Sequence, residues 1–302
     1  MATLKQLIEN IPSETKHTVA VAAAADLFVL EAISMAVERK MAYFRLYDDG
    51  SAMIEMLRKH FPEMLDHPDI ELCHASSQES AAVAAVKSVF NKESDILMKG
   101  QLATAVLLKA VLNKDYGLRT GMIMSQVAAF EVTGFDRLIF VTDAGMNINP
   151  NLSQKVQIIE NAVKIARSIG IDKPIVAPLA GVEVINPNMQ ATLDAAALTT
   201  MNQRGQIKNC IVDGPYALDN AISIAAAKNK RITGDNAGKA DILLVPSIES
   251  GNILYKSLVF FANAKVGSIV TGAKAPIVLS SRADSAESKL YSLALAIYSS
   301  LN

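Results

Sequence analysis

The stretch Thr18–Leu46, TVAVAAAADLFVLEAISMAVERKMAYFRL, decides the fold class of this 302-residue chain. Thr18–Ala23 is a short apolar run that reads as a buried strand, Asp26–Lys40 as an amphipathic helix, and Ala42–Leu46 as the next strand. The pattern then recurs. Ser51–His60 reads as a helix, Ile70–His74 as a strand, Ser80–Asn91 as an Ala/Val-rich helix, Ile96–Lys99 as a strand and Ala103–Asn113 as a helix. Strands alternating with helices in this way predict an α/β protein with a mostly parallel sheet.

Near residue 125 the rhythm changes. Ser125–Val132 and Arg137–Asp143 are strand-like runs separated by Thr133-Gly134-Phe135-Asp136, and they predict an antiparallel hairpin. Leu152–Ile169 follows as a long amphipathic helix, with Asn151 or Ser153 as its cap and Gly170 as its stop. Alternation resumes with strand Ile175–Pro178, helix Ala191–Arg204, strand Cys210–Asp213, helix Leu218–Lys228, strand Ile242–Pro246 and helix Asn252–Ala262. Val266–Thr271 and Ile277–Leu279 are further strands before a closing helix, Ser285–Leu301. A hairpin in the middle of an α/β chain predicts two lobes with a ligand cleft between them. The expected division is residues 1–124 with 280–302, against residues 125–279.

Charge and composition remove several classes of function. The 29 Lys+Arg and 30 Asp+Glu leave a net charge of −1, which lacks the concentrated basic surface of a general nucleic-acid binder. Hydrophobic residues make up 51% of the chain, enough for a substantial core and too many for disorder. Apolar runs are broken early, by Asp26 and Glu31 among others, so none approaches the roughly 18–20 residues of a membrane span. Met1–Asn10 does not read as a signal peptide, and the expected location is the cytoplasm. Cys73 and Cys210 provide neither a disulfide framework nor a thiolate zinc site.

Ligands in open α/β sheets bind beyond the carboxyl ends of the strands, and four loops there carry candidate chemistry. Asp213-Gly214-Pro215, followed by Asp219-Asn220, reads either as a tight turn with a capping carboxylate or as a ligand loop. Pro246–Asn252 leads to Tyr255-Lys256; Gly251 permits close backbone approach, and Asn252 and Lys256 suit an anion at a helix start. An ordinary strand–helix connection fits that segment equally well. Ser280-Ser281-Arg282-Ala283-Asp284-Ser285 combines hydroxyls, a guanidinium and a helix N-terminus, which together would hold a phosphate or a developing oxyanion. Asp284 and Glu287 have the spacing of a capping box. Lys99-Gly100-Gln101 leads into a helix bearing Lys109, a second anion contact or a solvated helix face. Ser125, at the head of the hairpin, is a further binding candidate.

Other catalytic signatures are missing. The chain has no P-loop, no G-x-G-x-x-G and no G-x-S-x-G. His17, His60, His67 and His74 form no i, i+4 pair, so no metal site is expected. Cys210, inside an apolar strand, reads as a buried small residue and not as a nucleophile.

Gly238–Leu301, containing ADILLVPSIESGNILYKSLVFF and GAKAPIVLSSRADSAESKLYSLALA, resembles the phosphate acetyl/butyryltransferase family. The similarity extends upstream through IVDGPYALDNAIS (Ile211–Ser223), FEVTGFDRLIFVTDAGMNINPNLSQKVQIIENAV (Phe130–Val163) and ILMKGQLATAVLLKAVL (Ile96–Leu112). The resemblance implies a two-lobed, three-layer αβα architecture like that of isocitrate and isopropylmalate dehydrogenases, with the site in the interlobe cleft. It implies reversible transfer of a short acyl group, butyryl by preference, between coenzyme A and inorganic phosphate. Coenzyme A is then substrate and product; no tightly bound cofactor, metal or nicotinamide is implied, and a homo-oligomer is. Ser281 and Arg282 match the family's active-site pair, Asn252 and Lys256 its G-N-x-x-Y-K segment and Asp213 its D-G-P loop; Lys109 stands where relatives carry a basic residue.

One departure concerns the base. Acetyl-transferring relatives place an aspartate seven positions after the site serine, and here that position is Ser288, leaving Asp284 and Glu287 as the nearest carboxylates. Three competing readings are a phosphate acetyltransferase, a metal-dependent decarboxylating dehydrogenase of the same architecture, and a non-catalytic acyl-CoA-binding relative.

Overall fold

The computed structural model of the chain describes residues 3–12, 16–279 and 284–301. In chain order its elements begin with α1 (Leu4–Glu9), β1 (His17–Ala22), α2 (Leu27–Glu38), β2 (Ala42–Asp48), α3 (Gly50–His60), β3 (Ile70–His74), α4 (Gln78–Phe90), β4 (Ile96–Lys99) and α5 (Thr104–Val111). Next come β5 (Ser125–Glu131), β6 (Ile139–Thr142), α6 (Leu152–Ser168), β7 (Ile175–Pro178), α7 (Gln190–Gln203) and β8 (Ile211–Val212). The chain finishes with α8 (Leu218–Ile222), α9 (Ile224–Asn229), β9 (Ile242–Leu244), α10 (Ile248–Phe260), β10 (Lys265–Thr271), β11 (Ile277–Val278) and α11 (Ala286–Ser300). The mixed α/β class expected from the alternating pattern is therefore what the chain forms.

Two compact units result. One comprises Lys5–Met122 and Gly267–Asn302, the other Met1–Leu4 and Ile123–Val266. In the first unit the strands run in the order β3-β2-β1-β4-β11-β10, parallel except for the β10–β11 pair. In the second they run β5-β6-β9-β7-β8, and only the β5–β6 hairpin is antiparallel. The chain returns to the first unit after Val266, earlier than the expected junction at 279/280. The reason is pairing: Ile277 and Val278 lie in register beside Leu97 and Met98 of β4, which claims β11 for that sheet.

Local chemistry accounts for most boundaries. Asp26 caps α2 by accepting from the Val29 N–H at 3.0 Å. Asn151 caps α6 reciprocally with Gln154, and Gly170, at φ +94°, supplies the left-handed residue that ends it. The expected single helix over 218–228 is two, α8 and α9, broken at Ser223. The Asn220 and Ala221 carbonyls, which a continuing helix would use, accept instead from the N–H groups of Gly238 (2.7 Å) and Ala240 (3.0 Å). Ser223 adopts extended dihedrals and restarts the helix by capping Ala226 N–H. Among the described residues, no helix is long and apolar enough to cross a membrane.

Burial in the second unit centres on β5, β6 and β9, where Phe130 meets Tyr255 edge-on at 5.1 Å. Asp241, just before β9, accepts from the Ile175 N–H at 2.8 Å, and burial pushes its carboxyl above the usual range, against the opposing effects of that bond and of Arg137. A raised folded-state pKa means this group contributes stability that is full below the unfolded value near 4 and is lost as pH climbs through the raised value. Asp241→Asn keeps an acceptor for Ile175 and removes the charge. Its unfolding midpoint at pH 7 should exceed that of the unsubstituted protein by about 1–3 °C, with the gain fading toward pH 4. A pH series of thermal melts checks this; a gain that grows on acidification contradicts it.

Candidate functional site

In the second unit β6, β9, β7 and β8 are parallel, so the loops that follow them emerge at one sheet edge. Two of the loops singled out in the sequence arrive there. After β8, the Asp213 carboxylate accepts from the Tyr216 hydroxyl at 2.7 Å and from the Asn236 amide at 3.1 Å, and the Gly214–Pro215 peptide is cis. Burial, and then the Asp213 partner, push the Tyr216 phenol well above its ordinary value, so it stays a donor. Asp219 does not cap α8, whose N-cap position is Ala217; its carboxylate accepts from the Asn220 N–H instead. Asp213 thus holds its own loop in shape.

After β9 the helix begins earlier than expected, at Ile248, because Ser247 and Ser250 cap it reciprocally. Asn252 and Lys256 consequently sit in the second and third turns of α10, both exposed. The Lys256 ammonium stands 5.3 Å from the Tyr255 ring and 5.9 Å from the Phe260 ring. The expected close approach at Gly251 is present: a Cβ there would lie 2.8 Å from the Asp143 carbonyl oxygen and 2.9 Å from Ala144 Cα. Ser125, by contrast, is fully buried, and its hydroxyl accepts from the Asn161 amide of α6 at 2.9 Å. It faces the protein interior, not a surface where a ligand could reach it.

Sequence reasoning passed over Asp143. It follows β6, is only 3% exposed, and its carboxylate accepts from the backbone N–H groups of Gln126, Gly145, Met146 and Asn147 and from the Asn147 side chain. A lone aspartate after a strand reads as a turn residue; the five convergent donors are visible only in the fold.

In the first unit β1, β4 and β11 are also parallel, and of its candidate segments the Lys99–Gln101 loop lies at their carboxyl ends. Lys99 is 3% exposed and its ammonium donates to the carbonyls of Gly100 and Leu102, each at 3.1 Å. Lys109 is exposed in the last turn of α5, at the far end of the helix from that strand edge, where a cation complements the helix dipole. The structure does not bring it to the edge. Ser281 and Arg282 lie outside the described residues. Asp284 does not cap α11. Ser285 does, accepting from the Ser288 N–H at 3.2 Å, while Glu287 accepts from the Tyr291 hydroxyl. The hydroxyl at position 285 wins the cap because it is one residue closer to the helix, and the predicted Asp284–Glu287 capping box does not form. The Asp284 carbonyl accepts from the Lys289 ammonium at 2.6 Å; burial lowers the Lys289 pKa, opposed by Asp284 and Asp26.

Two α/β units, each offering polar groups at the carboxyl edge of a parallel sheet, define the class, and comparison with known proteins defines the family. Residues 46–297 match the profile of the phosphate acetyl/butaryl transferase family. The chain is 53% identical over 297 residues to a probable phosphate butyryltransferase of Bacillus subtilis, covering 98% of both chains. It is 46% identical to a phosphate acetyltransferase of Thermotoga maritima, covering 97% of this chain and 98% of that one. Among solved structures, a branched-chain phosphotransacylase from Enterococcus faecalis superposes with a TM-score of 0.82 at 34% identity, covering 94% of this chain and 99% of that one. The chain belongs to the phosphate acetyl/butaryl transferase family.

Proposed function

We propose that the chain catalyses reversible transfer of a short-chain acyl group between coenzyme A and inorganic phosphate, with butyryl-CoA the preferred donor. The observation that carries this reading is the family match over residues 46–297, supported by relatives named for both butyryl and acetyl transfer. A phosphate oxygen attacks the thioester carbonyl, the C–S bond breaks, and the electron pair leaves on the CoA sulfur as thiolate. The reverse reaction is attack of that thiolate on the acyl phosphate.

Both substrates are anionic, so holding them together is the main task, and proximity with preorganised donors supplies most of the rate. In this reading Arg282 presents a bidentate fork to phosphate and Ser281 lies by the CoA sulfur. Asn252, Lys256, Asp213 and its loop bind substrate, and Lys109 attracts the polyanion from the surface. Ser125 enters only as support for the head of β5, through Asn161. A thiol of pKa near 8.5 is only a few per cent ionised at neutral pH. The CoA-attacking direction therefore calls for a base, and with Ser288 at the position of the family's aspartate the role is assigned to Asp284, a nearby carboxylate just before α11. The reading includes a cytoplasmic, homo-oligomeric enzyme with no tightly bound cofactor.

Phosphate-dependent release of free thiol from a panel of straight and branched acyl-CoAs tests it. Two extra methylenes buried at about 0.8 kcal/mol each favour butyryl over acetyl by about tenfold in kcat/KM. An acetyl rate equal to or above the butyryl rate reassigns the substrate, and no thiol release from any member rejects the activity. An acylated protein trapped without phosphate would exclude direct transfer.

A further inference from the structure

We infer that Asp143 is a positioning residue for the substrate-binding segment of the second unit: its buried carboxylate holds the turn 144–148 as a rigid seat for α10, and thereby sets where Asn252 and Lys256 stand. The inference rests on the proposed binding role of those two residues.

The chain leaves β6 at Thr142 and reverses within a few residues, so successive N–H groups of the turn have no ladder partner. Asp143 Oδ1 accepts from Gln126 N (3.2 Å), Gly145 N (3.0 Å) and Met146 N (3.0 Å), and Oδ2 from Asn147 N (3.0 Å) and Asn147 Nδ2. The same Asn147 amide ties back to the Met124 carbonyl at 2.8 Å. Donors to both oxygens satisfy the buried carboxylate and leave the turn no alternative arrangement of equal satisfaction.

The helix packs on that turn backbone to backbone. Gly251 has room only for hydrogen against Asp143 O and Ala144 Cα. The Ile248 N–H donates to Ile148 O at 2.9 Å, and the Val245 N–H to Thr142 O at 2.9 Å. Asn252 Nδ2 reaches Ala144 O at 3.5 Å. Because Gly251 and the Ile248 N–H meet the turn's backbone directly, a shift of the turn becomes a shift of α10. A carboxylate with a purely structural role would alter stability and leave the substrate constants of the folded protein unchanged.

The experiment compares steady-state kinetics of Asp143→Asn, Gly251→Ala, their double variant and Lys256→Ala, with Asp194→Asn as control. Asparagine keeps the shape but turns one acceptor into a donor facing other donors, and the Gly251 methyl pries the seam from the helix side. Both single variants should raise the KM of the same substrate that Lys256→Ala affects, by about tenfold, with kcat within about threefold. The double variant should fall well short of the product of the singles, because both open one seam. Asp194→Asn breaks a buried 2.6 Å ion pair between α6 and α7 and should lower the melting temperature with both KM values unchanged. Folded Asp143→Asn with both KM values within twofold of the unsubstituted protein overturns the inference. Where Asp143→Asn does not fold, Gly251→Ala decides it by the same criterion. No turnover in the unsubstituted protein removes the functional reading, and the inference with it.

Discussion

Arg282→Ala should lower phosphate-dependent release of CoA by about 10²–10³-fold, a loss of roughly 3–4 kcal/mol of transition-state stabilisation in the proposed reaction. The size follows from the chemistry of the proposed reaction. Phosphate carries its charge to a thioester that itself hangs from a polyanionic carrier, and negative charge then develops on the carbonyl oxygen and on sulfur. A planar guanidinium answers two phosphate oxygens at once, which no neutral group does. Arg282→Lys restores the charge without the fork and should recover only part of the rate. Thiol release at saturating and limiting phosphate, on variants shown to be folded, measures both effects. A folded Arg282→Ala enzyme within threefold of the unsubstituted protein would remove arginine from the mechanism. It would leave the family assignment untouched, because that rests on residues 46–297 as a whole.

What could be read before the structure was known depended on whether the determining contacts were local. The β5–β6 hairpin announced itself through two apolar runs and a glycine turn, and its register, Ala129 opposite Phe140, needs no other part of the chain. The α6 cap lies within three residues of its partner, and the sequence narrows it to Asn151 or Ser153, of which the structure uses Asn151. Long-range bonds were not legible. The break at Ser223 is imposed by Gly238 and Ala240, far along the chain, and the junction at Val266 by a strand pairing with β4. The six-residue α1 went unassigned; the N–H of its first residue, Leu4, is held by Glu131, across 127 residues of sequence.

The candidate site divides along the same line. Residue type and motif order pointed to Asp213, Asn252 and Lys256, and the parallel strands β6, β9, β7 and β8 explain why loops so far apart in sequence emerge at one edge. Motif resemblance says which residues recur but not what each one does. Asp213 proves to be engaged by Tyr216 and Asn236, Ser125 is sealed beneath α6, and capping passes from Asp284 to Ser285. Asp143 had no spacing signal, since its partners are backbone N–H groups, which every sequence possesses.

Gly100→Ala should cost about 3–5 kcal/mol, on the order of 10 °C in unfolding midpoint at 2–4 °C per kcal/mol. A Cβ at this position would lie 2.0 Å from the Ala23 carbonyl oxygen, 2.7 Å from its carbon and 2.8 Å from Ala22 O. All three are backbone atoms, so no rotamer change relieves the clash. Backing away is also expensive. Gly100 N–H donates to Ala22 O at 2.8 Å and Gln101 N–H to Ala23 O at 2.7 Å, which join the ends of β1 and β4. The buried Lys99 ammonium donates to the Gly100 carbonyl as well as to that of Leu102, and losing one such charged hydrogen bond costs about 1.5–3 kcal/mol. Gly50 supplies the control: it is the first residue of α3, and the nearest atom to a Cβ there is His74 Nδ1 at an ordinary 3.6 Å. Gly50→Ala should therefore change stability by no more than about 0.5 kcal/mol, or raise it slightly by restricting the unfolded chain. Thermal melts of the two variants side by side measure the difference. Equal midpoints would mean that the approach of β4 to β1 tolerates a methyl group, and that the glycine at the Lys99 turn is there for some reason other than space.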